Sequence, residues 1–136
     1  MEDDPLKRRN HNDDIAALQE IAREATEGFN TGDVDRVMKF YDEVYVDVNL
    51  RNPIQSFTER HQYYAQVIRR GLRVNVIPDE IRVDGDWAFV RGTLWVTMGD
   101  GERKELRYME IARRSKDGSW KIIWGMDGPV QEYSPE

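Results

Sequence analysis

Three polar side chains alternate with valines in the run VYVDVNL, residues 44–50. In an extended chain Tyr45, Asp47 and Asn49 share one side, and Val44, Val46, Val48 and Leu50 share the other. A strand of this kind ordinarily buries its valines and wets its polar side. The opposite orientation would line a cavity with a phenol, a carboxylate and a carboxamide, groups that hold a ligand or a water and pass a proton. Both orientations are open at this level. His61 is a second candidate, on a helical stripe with Phe57, Tyr64 and Ile68. There it is either a satisfied core residue or an acid, base or donor titrating near ~6.5. Tyr108 and Glu110 share one face of a later strand. That face is either exposed or an interface, or it lies in an apolar enclosure that raises the glutamate pKa. Phe89, Tyr64, Trp95 and Trp124 are core, interface or pocket wall; as walls they suit a flat apolar ligand.

Composition removes several chemistries. The 136 residues hold no cysteine, so thiol catalysis, disulfides and thiolate metal sites are excluded. Two histidines, His11 and His61, do not make a three-histidine zinc site. No glycine-rich phosphate loop, nucleophile elbow or metal-ligand spacing is present, so neither cofactor nor metal is expected. The net charge of -6 and pI near 5.0 argue against nucleic acid, and Lys7-Arg8-Arg9 reads as solvated surface between acids. No apolar run suits a membrane helix, and the opening MEDDPLKRRNHNDD has no apolar leader segment. A cytoplasmic protein is the expectation.

These residues must be positioned by a small set of elements. Residues 1–13 read as a mobile arm or frayed helix lead-in. Ile15, Leu18, Ile21, Ala22, Ala25 and Phe29 then form one apolar stripe of a helix that stops at Asn30-Thr31-Gly32. Asp33 caps a shorter helix carrying Val34, Val37, Met38, Phe40 and Tyr41. The 44–50 strand follows and breaks at Asn52-Pro53. Ser56 and Glu59 have capping-box spacing and open a third helix that closes at Gly71. The rest alternates as strands: 73–83 with a bulge forced by Pro78, then 87–98, 103–114 and 120–126, separated by Asp84-Gly85, Gly99-Asp100-Gly101 and SKDGS. Helices followed by a meander of long strands make an α+β domain. Long sheets twist and curl, and the helices fill the concave side, leaving a pocket where the filling is incomplete.

The runs NTGDVDRVMKFYDEVYVDVN, DGDWAFVRGTLWV and RRSKDGSWKIIWGMDG resemble the NTF2-like superfamily, in its SnoaL-like and ketosteroid-isomerase-like branch, over residues 14–128. The resemblance implies a cone: three N-terminal helices on the concave side of a curved, mainly antiparallel sheet, with a short tail at 129–136. It also implies a homodimer, because convex faces in this superfamily commonly pair. The ketosteroid-isomerase machinery does not carry over whole. Its helix tyrosine falls near Ala25, and its shuttle aspartate falls on Asn49 or Val48; only Glu110 lies near its second acid. Asp47 and Asn49 have the spacing of the water-holding pair of limonene-epoxide-hydrolase-like enzymes. Val90-Arg91-Gly92-Thr93 resembles the central strand of the calcium/calmodulin-dependent kinase association domain, which implies an inward Arg91 beside Phe89, Thr93 and Trp95. Arg91 is otherwise an outward surface arginine on a twisted sheet; an inward Arg91 would be paired by Asp47, Glu110 or Asp127. The ungapped register of the superfamily turns Tyr45, Asp47 and Asn49 into the cone; a one-residue gap at Asp42-Glu43 turns the valines in.

The resulting expectation is a small-molecule-binding protein with a mostly apolar pocket. It would be a cofactor-free isomerase, cyclase, dehydratase or hydrolase, or a non-catalytic binding or assembly module. Asp47, His61 and Arg91 are the candidate catalytic residues. Asn49, Tyr45, Tyr64, Phe89, Trp95, Tyr108, Glu110 and Trp124 are the candidate pocket residues.

Overall fold

Leu18, Ile21, Ala22 and Phe29 are buried on one stripe of the first helix, α1 (Pro5–Thr31). That stripe packs on a six-stranded sheet, and everything else in the fold follows from closing the sheet around it. The computed structural model describes residues 5–48 and 54–130, with side chains from residue 11. Gly32, at φ 76°, ends α1. Asp33 accepts from the Arg36 amide at 3.1 Å and starts α2 (Val34–Met38). Then come β1 (Tyr41–Asp47), β2 (Gln55–Ser56), α3 (Phe57–Arg69), β3 (Arg73–Asp84), β4 (Trp87–Thr97), β5 (Arg103–Arg114) and β6 (Trp120–Pro129).

The strand order is β2-β1-β6-β5-β4-β3. All neighbours are antiparallel except β1 and β6, which run parallel and place Asp47 beside Gly125. The sheet is curved and does not close. Its bends have local causes. The register slips by one residue after Pro78, which cannot donate to the ladder, so Pro78 faces Gly92 but Glu80 faces Arg91. A Cβ on Gly92 would stand 2.2 Å from the Ile77 carbonyl oxygen and 2.6 Å from the Tyr108 ring. Only glycine allows the backbone and that ring to approach so closely.

One end of the cone is tied by a polar clamp. Arg114 of β5 donates from both terminal nitrogens to Asp14 of α1, at 2.9 and 2.7 Å. The Trp120 indole donates to the same carboxylate at 3.1 Å, and Arg114 also reaches Asp86 at 3.2 Å. The Asp14 carboxyl is held below its ordinary value, chiefly by its hydrogen bond to Arg114.

Some boundaries differ from expectation. α1 begins at Pro5, so the helix runs through residues 5–13, the span read as a mobile arm or helix lead-in; proline suits a first helical turn, and no breaker follows it. Residues 1–4 lie outside the described residues. Phe40 and Tyr41 leave the second helix early because the Phe40 carbonyl accepts from the Ile122 amide at 2.7 Å, which draws the chain into the sheet. The last strand runs on to Pro129, into the region expected as tail, and the Val130 amide still donates to Glu105.

Candidate functional site

Concave and convex faces of the sheet are set by alternation. Along β4, Ala88, Val90 and Val96 are buried, whereas Trp87, Phe89 and Arg91 are exposed. On β1, Tyr45 and Asp47 are only 3% and 2% exposed, whereas Val44 is 63% exposed. The open question about this strand is thereby answered: the polar side faces the cone. Gly125, the neighbour of Asp47 on β6, makes room, because a Cβ there would stand 2.6 Å from the Tyr45 hydroxyl.

Inside the cone lies a cavity of about 280 Å³. Its apolar wall comes from α1 (Ile21, Ala22, Ala25, Phe29), β3 (Val74, Val76), β4 (Val90, Leu94) and β5 (Leu106, Ala112). Its polar groups include Tyr41, Tyr45, Arg60, Tyr64, Tyr108, Glu110 and Asp127, with Tyr63 and Lys104 also lining it. Tyr41 packs edge-on against Tyr45 at 4.6 Å and against Tyr64 at 6.4 Å. Burial pushes the phenols of Tyr41, Tyr45, Tyr64 and Tyr108 above their ordinary values, so they remain protonated donors.

Arg60 organises the polar end. The Glu59 carboxylate accepts from the Ser56 amide at 3.4 Å and its hydroxyl at 3.1 Å, which fixes the start of α3. Arg60 then falls in the first turn facing the sheet, one turn before Tyr64, whose ring centre is 4.6 Å from the guanidinium carbon. Arg60 is 6% exposed. One terminal nitrogen lies 2.7 Å from Asp47 Oδ2 and donates to Gln55 at 3.0 Å; the other donates to Asp127 Oδ2 at 3.1 Å. Burial alone would lower this guanidinium, but the Asp47 carboxylate beside it holds it up, so it stays charged. The Asp47 carboxyl is nonetheless raised: desolvation outweighs Arg60, and Asp127 adds repulsion. Asp47 Oδ1 and Arg60 Nε are buried with no hydrogen-bond partner among the described residues.

Glu110 stands opposite Gly125 on β5 and faces the cavity. Its carboxyl is pushed up to about 7, first by burial and then by the charge of Asp127, against the pull of Arg60. Among the described residues nothing hydrogen-bonds it. A carboxyl poised near neutrality in an apolar wall can give a proton or take one.

The structure therefore brings together Tyr45, Asp47, Tyr64, Tyr108 and Glu110 of the expected set. It moves the others away. Arg91 lies on the convex face, paired with Glu80 at 2.8 Å; two inward neighbours, Val90 and Gly92, force it out. Phe89, Trp95 and Trp124 share that outer face, with Trp124 stacked on Trp87 at 6.4 Å and Arg103 lying 4.1 Å over Trp95. They are not cavity walls. His61 lines a shallow outer groove instead, where it meets Asp35 of α2 at 2.9 Å. Asn49 lies outside the described residues. Arg60, Tyr41 and Gln55 were missed. A signal for Arg60 existed: position 60 is equally in step with Phe57 and Tyr64, and an arginine on an apolar stripe implies a buried pair.

Comparison with known proteins agrees with this fold. A family model for the SnoaL-like domain matches residues 22–123. An NTF2-like protein with a cystatin-like fold from Novosphingobium aromaticivorans superposes with TM-score 0.82 at 15% identity, over 98% of this chain and 95% of its own. A ketosteroid isomerase-like protein from Erwinia carotovora atroseptica gives 0.68 at 22%, over 89% and 99%. A provisionally assigned dehydratase of the NTF2-like family from Streptomyces avermitilis gives 0.74 at 19%, again over 89% and 99%. At such identities the likeness to solved structures is one of fold. No curated protein sequence matches. On the family match the chain belongs to the SnoaL-like domain family, and its cone is the fold of the NTF2-like protein from Novosphingobium aromaticivorans.

Proposed function

We propose that the cone binds a small, largely apolar molecule and that the protein is a cofactor-independent acid/base enzyme: an isomerase, cyclase or dehydratase. The observation that carries this reading is Glu110, a carboxyl at about 7 facing an apolar cavity. Beside it, Arg60 holds Asp47 and Asp127 as counter-charges. Burial holds the Glu110 carboxyl near neutrality, whereas Asp47 and Asp127 each face a cation, and that difference in surroundings assigns roles. Glu110 gives and takes the proton, the phenols of Tyr41, Tyr45, Tyr64 and Tyr108 orient an oxygen of the ligand, and Arg60 steadies developing negative charge through the cluster. The stabilising role expected of Arg91 passes to Arg60, and Asp47 acts as a positioning residue.

The test is proton exchange. Small cyclic ketones and β-hydroxyketones are incubated in D₂O and followed by NMR with the native protein and with Glu110→Gln. Exchange or dehydration above background should fall about 100-fold or more in the variant. Compounds that bind the cavity but never react, together with a Glu110 carboxyl titrating near 4.3, would favour the binding-module alternative and discard catalysis.

A homodimer through the convex face is part of the same reading. Val44, Phe89, Met109 and Trp124 expose apolar surface there, and a contiguous exposed apolar patch marks an interaction face. Trp124→Glu should shift the mass measured by light scattering from dimer to monomer; a wild-type monomer at micromolar concentration would remove this element. Among the described residues no helix is long and apolar enough to cross a membrane. The cytoplasmic proposal rests on the cysteine-free sequence.

A further inference from the structure

With the cone read as the ligand site, we infer that Gly125 is a specificity-determining residue: by seating the Tyr45 hydroxyl against β6 it fixes how large a ring the polar end of the cavity admits. Trp124 and Met126 are exposed on the outer face, so position 125 between them points into the cone. Its cross-strand neighbours are Asp47 on β1 and Glu110 on β5. A side chain at 125 would therefore stand in the row between those two acids. The Tyr45 ring, reaching over from β1, takes that space instead. A Cβ on Gly125 would lie 2.6 Å from the Tyr45 hydroxyl oxygen, 3.4 Å from Cε2 and 3.5 Å from Cζ. The hydroxyl alone is too close; the ring carbons are near ordinary contact.

Gly92 shows what a purely structural glycine looks like. A Cβ there would meet the Ile77 carbonyl oxygen at 2.2 Å, so the sheet needs that glycine whatever the cavity holds. At Gly125 the three nearest atoms all belong to Tyr45, a cavity-lining side chain, and the backbone does not have the positive φ that would demand glycine. The strand itself accepts alanine; the phenol does not. With alanine at 125 the Tyr45 hydroxyl must move about 1 Å to regain ordinary contact. The Cβ stands on the β6 side, so the hydroxyl moves away from β6 and into the cavity. Tyr41, edge-on to the same ring at 4.6 Å, narrows the other ways out. In a cavity of about 280 Å³ that step closes the space a second fused ring would use.

The experiment titrates phenol and 2-naphthol, which differ by one fused ring, into the whole chain and follows the protein by NMR. Gly125→Ala should weaken 2-naphthol at least about tenfold and phenol less than about threefold. Tyr45→Phe removes the one atom in the way. In that background the same alanine should change neither affinity beyond about threefold. An unchanged affinity for 2-naphthol in Gly125→Ala, an equal loss for both probes, or a loss that persists in the Tyr45→Phe background overturns the assignment while leaving the cone a ligand site. If circular dichroism shows that Gly125→Ala does not fold, Tyr45→Phe is compared with Tyr45→Phe/Gly125→Ala. Both should fold and bind 2-naphthol alike; a double variant that fails to fold, or binds it more weakly than about threefold below Tyr45→Phe, overturns the assignment. Binding of neither probe by the native protein overturns the ligand-site reading and this assignment with it.

Discussion

Two arginines in this molecule each hold two aspartates, and they do so differently. Arg114 meets Asp14 through two parallel hydrogen bonds, reaches Asp86 with its third nitrogen, and leaves the Asp14 carboxylate also bonded by Trp120. Arg60 meets Asp47 and Asp127 singly, at the bottom of a cavity, and leaves Asp47 Oδ1 and its own Nε without a hydrogen-bond partner among the described residues. The proton affinities record the contrast. Asp14 is lowered by its bonds, whereas Asp47 is raised because burial outweighs its partner. A clamp whose groups are all bonded ties α1 to the sheet. An imperfectly bonded cluster in a wall of phenols is a place where polarity is kept available, at a cost to stability.

The comparison is broken most forcefully at Arg60. Arg60→Met strands Asp47 without a counter-charge and should destabilise the fold by about 3–5 kcal/mol, read as the midpoint shift in urea at pH 7. Restoring most of that loss with Arg60→Met/Asp47→Leu would place the cost in the stranded charge rather than in lost packing. Glu110→Gln comes next and works in the other direction. The Glu110 carboxyl titrates near 7 in the fold, against about 4.3 unfolded. The native state therefore binds the extra proton across that interval, and stability falls as pH rises through it. At pH 8 the glutamine variant should be more stable than the native protein, by up to about 3 kcal/mol; at pH 4 the two should match. Equal stability at both pH values would mean that Glu110 is not held near neutrality.

Asp14→Asn is a smaller step. It keeps an acceptor but removes the charge, and should cost about 1–3 kcal/mol. Because the Asp14 carboxyl is lowered in the fold, its contribution is present above its ordinary range and lost as pH falls below about 3.9. The two clusters thus bend the pH–stability curve in opposite senses, which a melting series from pH 3 to 8 displays directly. His61→Ala should be the least consequential. Its partner Asp35 is exposed, and the pair lies outside the cone. A change beyond about 0.5 kcal/mol, or an altered affinity for a cavity ligand, would return His61 to the site.

Much of the cone was legible in the sequence because its strands are long and alternate strictly. Asp33, Ser56 with Glu59, and Pro78 each mark a local event that needs no tertiary information: two helix starts and a bulge. The orientation of Tyr45 and Asp47 was not legible. It depends on β6 arriving parallel to β1 and presenting Gly125, which lets a phenol lie over its backbone. Arg91 illustrates a different failure, a motif likeness given more weight than alternation. Ala88, Val90 and Gly92 are small, and Trp87, Phe89 and Arg91 are large. The concave side of a bent sheet is crowded, so the small residues turn in. Arg60 was passed over because a helical stripe of this width admits position 60 or position 61, and histidine drew the chemistry.

The parallel pairing of β1 with β6 has a consequence in time. Asp47, Arg60 and Asp127 come from the first long strand, the third helix and the final strand of the sheet. During synthesis, a nascent chain that has emitted α3 but not Trp120–Pro129 carries Arg60 and Asp47 with their third partner unborn. The central strand slot between β1 and β5 is also empty. Pairings this distant in sequence form late. The polar end of the cone therefore cannot be complete until Trp120–Pro129 has been made, and a chain stalled before that strand lacks the Asp127 side of the cluster.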